Sequence, residues 1–440
     1  MNQKRSPVAI VGAGWAGLAT AVKLAQQGIP VSLFEAATTA GGRARDIQLK
    51  KIALDNGQHL MIGGYQHVLA ILDTVGVDIN TVFERRPLSL QLIGKNAQTL
   101  HFQANPYFPA PLHLLAGLLG KTGMSLKHRF QIARLSIQLL QNPESIADQR
   151  NVQDWLGLHG QDEEITRWLW EPLCLAILNT PIKKASARTF LRVLKDSFLY
   201  KRKNSDLLFS TSTLSKLFVD PCLNFLNAND AKLHLGQRVT GLTVENNRVS
   251  GLNIGDKHLA FKHVILAVPP NHCHNLTASH PQLGDLNNKL SQFTFEPITT
   301  VYLQYPRDVQ LPQPMIGLVD SYSQWIFDRR ICNQPGLMSV VISSSGPHMK
   351  LDRQQLADLV IKEIAYKFPA LPKPRSSFVV REKRATFQCS MNIDAIRPEN
   401  HTPVQGLWLA ADFTDTGYPA TLEGAVKSGI ECARQVAESL

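Results

Sequence analysis

The chain of 440 residues carries 46 Lys plus Arg against 35 Asp plus Glu, a net charge of +11, with 44% apolar and 18% charged residues. That composition excludes a disordered chain and a fibre, and the length exceeds what one hydrophobic core ordinarily organises, so two domains are expected, with interior enough to enclose a large ligand. Six widely spaced cysteines give neither zinc spacing nor a secreted disulfide framework, which predicts a reducing, cytoplasmic location. No stretch reaches the roughly 18 apolar residues of a membrane span. The basic balance contains no Lys/Arg block and no aromatic-interleaved basic motif, so no nucleic-acid partner is expected.

In chain order, the apolar run Val8 to Val11 leads into Gly12-Ala13-Gly14-Trp15-Ala16-Gly17, then a helical stretch closed by Gly28, then a second apolar run ending in Glu35. The pattern is strand, turn, helix, strand. Gly12 permits the tight turn, Gly14 lets backbone approach a pyrophosphate, and Gly17 lets helix pack closely on strand. Phosphates then meet the helix N-terminus, where unpaired N–H groups and the helix dipole favour negative charge. Glu35 ends the second strand, where a carboxylate accepts both ribose hydroxyls of an adenosine and disfavours a 2′-phosphate, so the dinucleotide is not NADP. The basic start and apolar centre also imitate a signal peptide, a reading that explains less of the segment.

NAD and FAD share this fingerprint, and the next residues decide between them. Gly41-Gly42-Arg43-Ala44-Arg45 adds backbone donors and a fixed cation beside the same pyrophosphate, and Asp55-Asn56-Gly57-Gln58-His59 forms a polar turn. Glu35, five residues, GGRAR and then DNG resembles the FAD-containing amine oxidase and phytoene desaturase superfamily. Further along, Glu245-Asn246-Asn247 reads as a hairpin turn, and Leu407 to Asp412 as a buried strand ending in a carboxylate. The resemblance implies that the backbone at Val239 contacts the adenine side, that Asp412 holds the ribityl-pyrophosphate, and that the Glu423-Gly424-Ala425 backbone meets the isoalloxazine ring.

These pieces predict an α/β fold in which a Rossmann-like FAD-binding domain (1–100, 205–275 and 395–440) is interleaved with a mixed helix and sheet substrate domain (100–205 and 275–395). The first substrate segment is expected to be mostly helical. The second carries strand-like runs at Thr300 to Tyr305 and Met338 to Ser343. His272-Cys273-His274, after a strand-end Pro-Pro, reads as a loop rather than a metal site.

The blocks VGAGWAGLATAVKL, GGRAR, LDNGQHLMIGGY, WEPLCLAILNTP, SDLLFS and ADFTDTGYPATLEGAVKSG together are similar to the hydroxysqualene dehydroxylases, across essentially the whole chain. That resemblance implies reductive removal of the hydroxyl of hydroxysqualene to give squalene, with FAD as cofactor. Rival readings are an isoprenoid desaturase, an amine oxidase, and a non-catalytic FAD-binding partner of a lipid-synthesis complex. Candidate acids are His59, Glu171 and Tyr418, each with a structural alternative: a satisfied histidine, a helix-start carboxylate ahead of Pro172, and a cavity wall. The electron donor, a nicotinamide or a separate reductase, stays open, as does covalent attachment of FAD. Leu126, Phe130, Ala133, Ile137 and Leu140 recur at helical spacing with Lys127, Arg129 and Arg134 off the stripe. The stripe suits either core packing or a membrane surface, and with the apolar stretch from Pro106 to Leu119 before it, peripheral attachment to the inner face of the membrane is expected.

Overall fold

In the computed structural model, which describes residues 6–49, 52–95, 98–141 and 150–440, the uninterrupted apolar run Val8–Val11 forms the central strand of a five-stranded parallel sheet. Such a run, without alternation, suits a strand covered on both faces. The sheet order is Lys232–Leu235, Val31–Glu35, Val8–Val11, His263–Leu266 and Leu407–Leu409. One face is covered by the helices Trp15–Gln26 and Leu422–Ser439. These cross where a Cβ on Gly429 would lie 2.4 Å from the Ala16 carbonyl oxygen, so only glycine permits the approach. A three-stranded antiparallel sheet, Gly241–Glu245, Arg248–Ile254 and Lys257–Ala260, lies against the parallel strand His263–Leu266. Its first hairpin turns on Asn246 and Asn247, both at positive φ, as a two-residue turn matching strand twist requires. The basic start, residues 1–5, lies outside the described residues.

A seven-stranded sheet, ordered Ser376–Phe387, Phe295–Gln304, Leu337–Ser343, Trp325–Asp328, Met315–Leu318, Ser89–Ile93 and Thr99–Gln103, forms the second half, with the helix Arg353–Lys367 packed on it. Its strands are antiparallel except where Gly317 and Leu318 pair in parallel with Leu92 and Ile93. The hairpin of Ser89–Ile93 and Thr99–Gln103 thus sits in this sheet, although the expected flavin segment runs to residue 100. Its alternating Leu90, Leu92, Leu100 and Phe102 are buried in the same core as Trp325 and Val341. Helices including Leu112–Leu118, Leu126–Gln141, Glu171–Leu178 and Ala187–Phe198 predominate among the described residues between 112 and 198.

Two local expectations are corrected. His272-Cys273-His274 is not a loop: Pro269 and Pro270 start the helix Pro270–Thr277, because proline is preset for a first helical turn. Cys273 is buried, and no cluster of metal ligands occurs among the described residues. In the helix Leu126–Gln141 the packed face is Ile132, Leu135 and Leu139, while Leu126, Phe130, Ile137 and Leu140 face outward, so core packing does not account for the stripe.

Candidate active site

The glycines of the first turn differ in what surrounds them. Gly12, at φ +108°, would place a Cβ 2.4 Å from the Ala267 carbonyl oxygen, and a Cβ on Gly17 would lie 2.0 Å from the Gly12 carbonyl oxygen. Both make the turn and helix fit the sheet. A Cβ on Gly14 would meet nothing within 4 Å. Gly14 therefore borders open space in front of the helix Trp15–Gln26, whose first turn holds no side-chain cap and no acidic residue among the described residues. The N–H groups that a helix start leaves without intrahelical partners are thus available to an anion.

The second glycine pair lies against the first. Gly41 donates from its N–H to the Ala13 carbonyl at 2.8 Å and forms a bridge with Gly14, and Gly41 and Gly42 take φ of +105° and +60°. Trp15 fixes the following turn: its indole N–H donates to the Ala44 carbonyl at 2.9 Å while its ring stacks on Phe218 at 3.9 Å. Glu35 closes one end of the space. Its carboxylate accepts from the N–H groups of Ala13 at 2.9 Å and Ala37 at 2.8 Å, which aims the side chain across the turn. Gly236 and Gln237 donate to the Ala37 and Glu35 carbonyls, carrying the chain past this carboxylate to the buried Val239.

At the other end, Arg43 and Asp412 pair through Nη2 and Oδ2 at 2.7 Å, joining positions far apart in sequence. Asp412 is buried three residues beyond the strand Leu407–Leu409, which stops short of the expected end at Asp412, and Arg43 also donates to the Ala385 carbonyl at 2.9 Å. His59 sits in the same neighbourhood, within electrostatic reach of Arg43 and Asp55, with Nδ1 2.8 Å from the Gly57 carbonyl. Burial pulls its pKa below the usual histidine value, so the ring is neutral at pH 7, with Nδ1–H donating to Gly57.

Two expected site residues have side chains committed to other partners. The Glu423 carboxylate is buried and accepts from the N–H groups of His67 at 2.9 Å and Val68 at 3.0 Å and from the His67 ring at 2.6 Å. It clamps the start of the helix Gln66–Thr74, whose preceding Tyr65 offers no cap. Any role of Glu423 at a cofactor is consequently one of backbone: with Gly424 and Ala425 it opens the helix Leu422–Ser439, capped by Thr421 Oγ1 accepting from the Gly424 N–H at 3.1 Å. The Tyr418 hydroxyl donates to Asp196 at 2.8 Å, and burial, then Asp196, raises its pKa well above the usual phenol value. A phenol so committed is a poor proton donor. Glu171 opens the helix Glu171–Leu178 ahead of Pro172, half-buried, and burial together with nearby Asp320 raises its pKa above the usual carboxylate range.

Three buried anchors escaped the sequence reading. Arg397 donates to the carbonyls of Asp412 at 3.1 Å, Thr414 at 2.9 Å and Tyr418 at 2.6 Å and to Thr416 Oγ1 at 2.8 Å, so one guanidinium shapes the whole loop after Asp412. Arg329, fully buried, bonds Asp55 at 2.8 Å, Gln58 at 2.8 Å and Gln334 at 2.6 Å and thereby sets the DNGQH turn. Asn179, at φ +47°, links the LNTP turn to the seven-stranded sheet through Pro297, Thr386 and Ser344. Arginine beside proline in IRPEN and a helix-ending asparagine are the local signals; their partners lie far away in sequence.

The chain matches the family model of flavin containing amine oxidoreductases over residues 15–437. It is 27% identical to the hydroxysqualene dehydroxylase of Sinorhizobium fredii and 28% identical to that of Rhodopseudomonas palustris, with 97% of each chain covered in both comparisons. Its fold is shared with an oxidoreductase from Methanosarcina mazei, at a TM-score of 0.75 and 15% identity over 98% of this chain and 100% of that one.

Proposed function

The chain belongs to the flavin-containing amine oxidoreductase family and is an FAD-dependent oxidoreductase, and on that premise we propose that it reductively removes the allylic hydroxyl of hydroxysqualene to give squalene. The observation that carries this reading is the extent of the similarity to the hydroxysqualene dehydroxylases, which runs over 97% of both chains and so includes the seven-stranded half as well as the nucleotide-binding half.

The residues present fit FAD. Open space before Gly14, a carboxylate at one end and a buried carboxylate paired with the half-buried Arg43 guanidinium at the other match its ribose, pyrophosphate and ribityl portions. We assign the ribose hydroxyls to Glu35, the pyrophosphate to the N–H groups after Gly14 and at Gly41 and Gly42, and the ribityl-pyrophosphate to Asp412 and Arg43. The loop at Val239 lies on the adenine side. The isoalloxazine ring falls to the Glu423-Gly424-Ala425 backbone, where a helix N-terminus stabilises negative charge. The parallel-sheet half then holds FAD, and the seven-stranded sheet with its helices holds the substrate.

Reduced FAD supplies a hydride, so that the C–O bond breaks, a C–H bond forms, and the hydroxyl takes a proton and leaves as water. The protein must exclude solvent, orient the carbon and deliver that proton. His59, kept neutral, accepts a hydrogen bond more readily than it gives a proton, and Tyr418 is held by Asp196. Of the three candidates, Glu171 is the one whose carboxyl is pushed above the usual carboxylate range, by burial and by Asp320, which favours its protonated form, so we give it the acid role, to be tested by substitution.

Purified, FAD-loaded protein incubated anaerobically with hydroxysqualene and a chemical reductant should yield squalene by mass spectrometry, and Glu171→Gln should keep FAD while losing turnover. Unchanged hydroxysqualene, with loss of two hydrogens from a polyene under oxidising conditions, would reassign the chain to the desaturases.

A further inference from the structure

The helices Leu112–Leu118 and Leu126–Gln141 enclose a groove of about 560 Å³ lined almost wholly by apolar atoms, among them Leu115, Phe130, Ala133 and Ile137. Around it large apolar side chains stand in solvent: Tyr107 is 91% exposed, Leu119 82%, Leu126 81% and Phe130 69%. A contiguous apolar surface of this kind marks an interface. Within the segment that carries the two helices the charge has one sign. Between Glu84 and Glu144 the sequence contains no Asp or Glu; Arg129 lines the groove, Lys127 and Arg134 lie on the same helix, and Lys121 lies between the two helices. Lys127 is paired at 2.7 Å with Asp162 from the neighbouring helix start, whereas Lys121 and Arg134 are exposed.

We propose that this helical pair docks the protein onto an anionic lipid bilayer, with Tyr107, Leu119, Leu126 and Phe130 entering the interface and Lys121, Arg129 and Arg134 meeting lipid phosphates. The charge pattern selects this occupant over a second copy of the chain, because self-association through the patch would bring like charges together. It also selects a surface mode of binding, since no helix among the described residues is long and apolar enough to cross a membrane. An amphipathic helix with aromatic and aliphatic residues on one side and Lys and Arg beside them lies in the plane of the bilayer surface. The inference stands apart from the reaction assigned above, because it is read on binding alone.

The test is co-sedimentation of the full-length, FAD-loaded protein with vesicles of phosphatidylcholine, with and without phosphatidylglycerol, alongside sedimentation velocity without lipid. Binding is expected on the anionic vesicles and should weaken with salt. Each cation brought to an anionic surface is worth about fivefold in partition, so Lys121→Ala with Arg134→Ala should weaken anionic binding by about thirtyfold. Leu126→Ser with Phe130→Ser, at positions already exposed, should weaken it by about a hundredfold while leaving the flavin spectrum and thermal unfolding unchanged. Equal binding to neutral and anionic vesicles would overturn the proposal. So would undiminished binding by the serine variant, or a lipid-free dimer that this variant dissociates.

Discussion

Replacing Glu423 separates a carboxylate that serves the flavin from one that holds a helix. Its oxygens accept two backbone N–H bonds, from His67 and Val68, and one from the His67 ring, all in a buried setting. Hydrogen bonds to a charged group contribute about 1.5–3 kcal/mol each, so the two backbone bonds alone, at the low end, are worth about 3 kcal/mol. Glu423→Ala should lose at least that amount, since the helix Gln66–Thr74 has no other side-chain cap. Glu423→Gln keeps one acceptor oxygen and should lose about half, roughly 1.5 kcal/mol. Chemical denaturation followed by circular dichroism measures the loss, and the visible spectrum and reduction potential of bound flavin report on the ring. The expected result is reduced stability in the order Ala, Gln, wild type, with the flavin potential of the Gln variant unmoved. Unchanged stability together with a shifted potential would show that the carboxylate faces the flavin and refute the assignment.

Gly14→Ala and Gly12→Ala should fail differently. The first adds a methyl group that meets no protein atom and should leave a folded protein with much less bound FAD; the second meets the Ala267 carbonyl and should impair folding itself. Flavin content and thermal unfolding of each variant decide, and full FAD retention by Gly14→Ala would contradict the site. Tyr418→Phe should change turnover by less than about threefold, since a general acid contributes on the order of a hundredfold or more and this phenol is bound to Asp196. A loss of two orders of magnitude would restore Tyr418 as proton donor. Burial lowers the pKa of His59, His113, His263, His272 and His348 in the folded state. The unfolded chain therefore binds more protons below the ordinary value of 6.5, and stability should fall as pH drops from 7.5 to 6. Thermal unfolding across that range checks the sign, and a rising midpoint on acidification would contradict it.

What the sequence revealed of the fold was local in origin. Gly12 to Gly17, the run into Glu35 and the Asn246-Asn247 turn each carry their conformational requirement within a few residues, and the structure has strands, helix and hairpin where those requirements place them. Side-chain direction is another matter. That Glu423 sits at a helix start is legible locally, but that its carboxylate reaches the helix at His67 depends on packing between segments far apart in sequence. Arg329, Arg397 and the Arg43–Asp412 pair were hidden for the same reason, since an arginine's neighbours in sequence say little about which distant carbonyls or carboxylates it will meet. The helix Leu126–Gln141 shows the limit of periodicity: it carries two apolar arcs, one through Phe130 and one through Leu135, and spacing alone does not say which is turned inward.

The order of strands in the parallel sheet bears on how the protein is made. Its central strand Val8–Val11 is made well before its neighbour His263–Leu266, and the edge strand Leu407–Leu409 and Asp412 follow later still. At about 5–20 residues per second, synthesis separates Arg43 from Asp412 by on the order of twenty seconds or more. Throughout that interval the nascent nucleotide-binding unit exposes an apolar strand edge and one half of an ion pair. With Arg43 and Asp412 assigned to FAD, the complete site exists only once Asp412 has been made, and chaperone demand should concentrate on the interval before that, when the first strands of the sheet have been made and Leu407–Leu409, which completes it, has not.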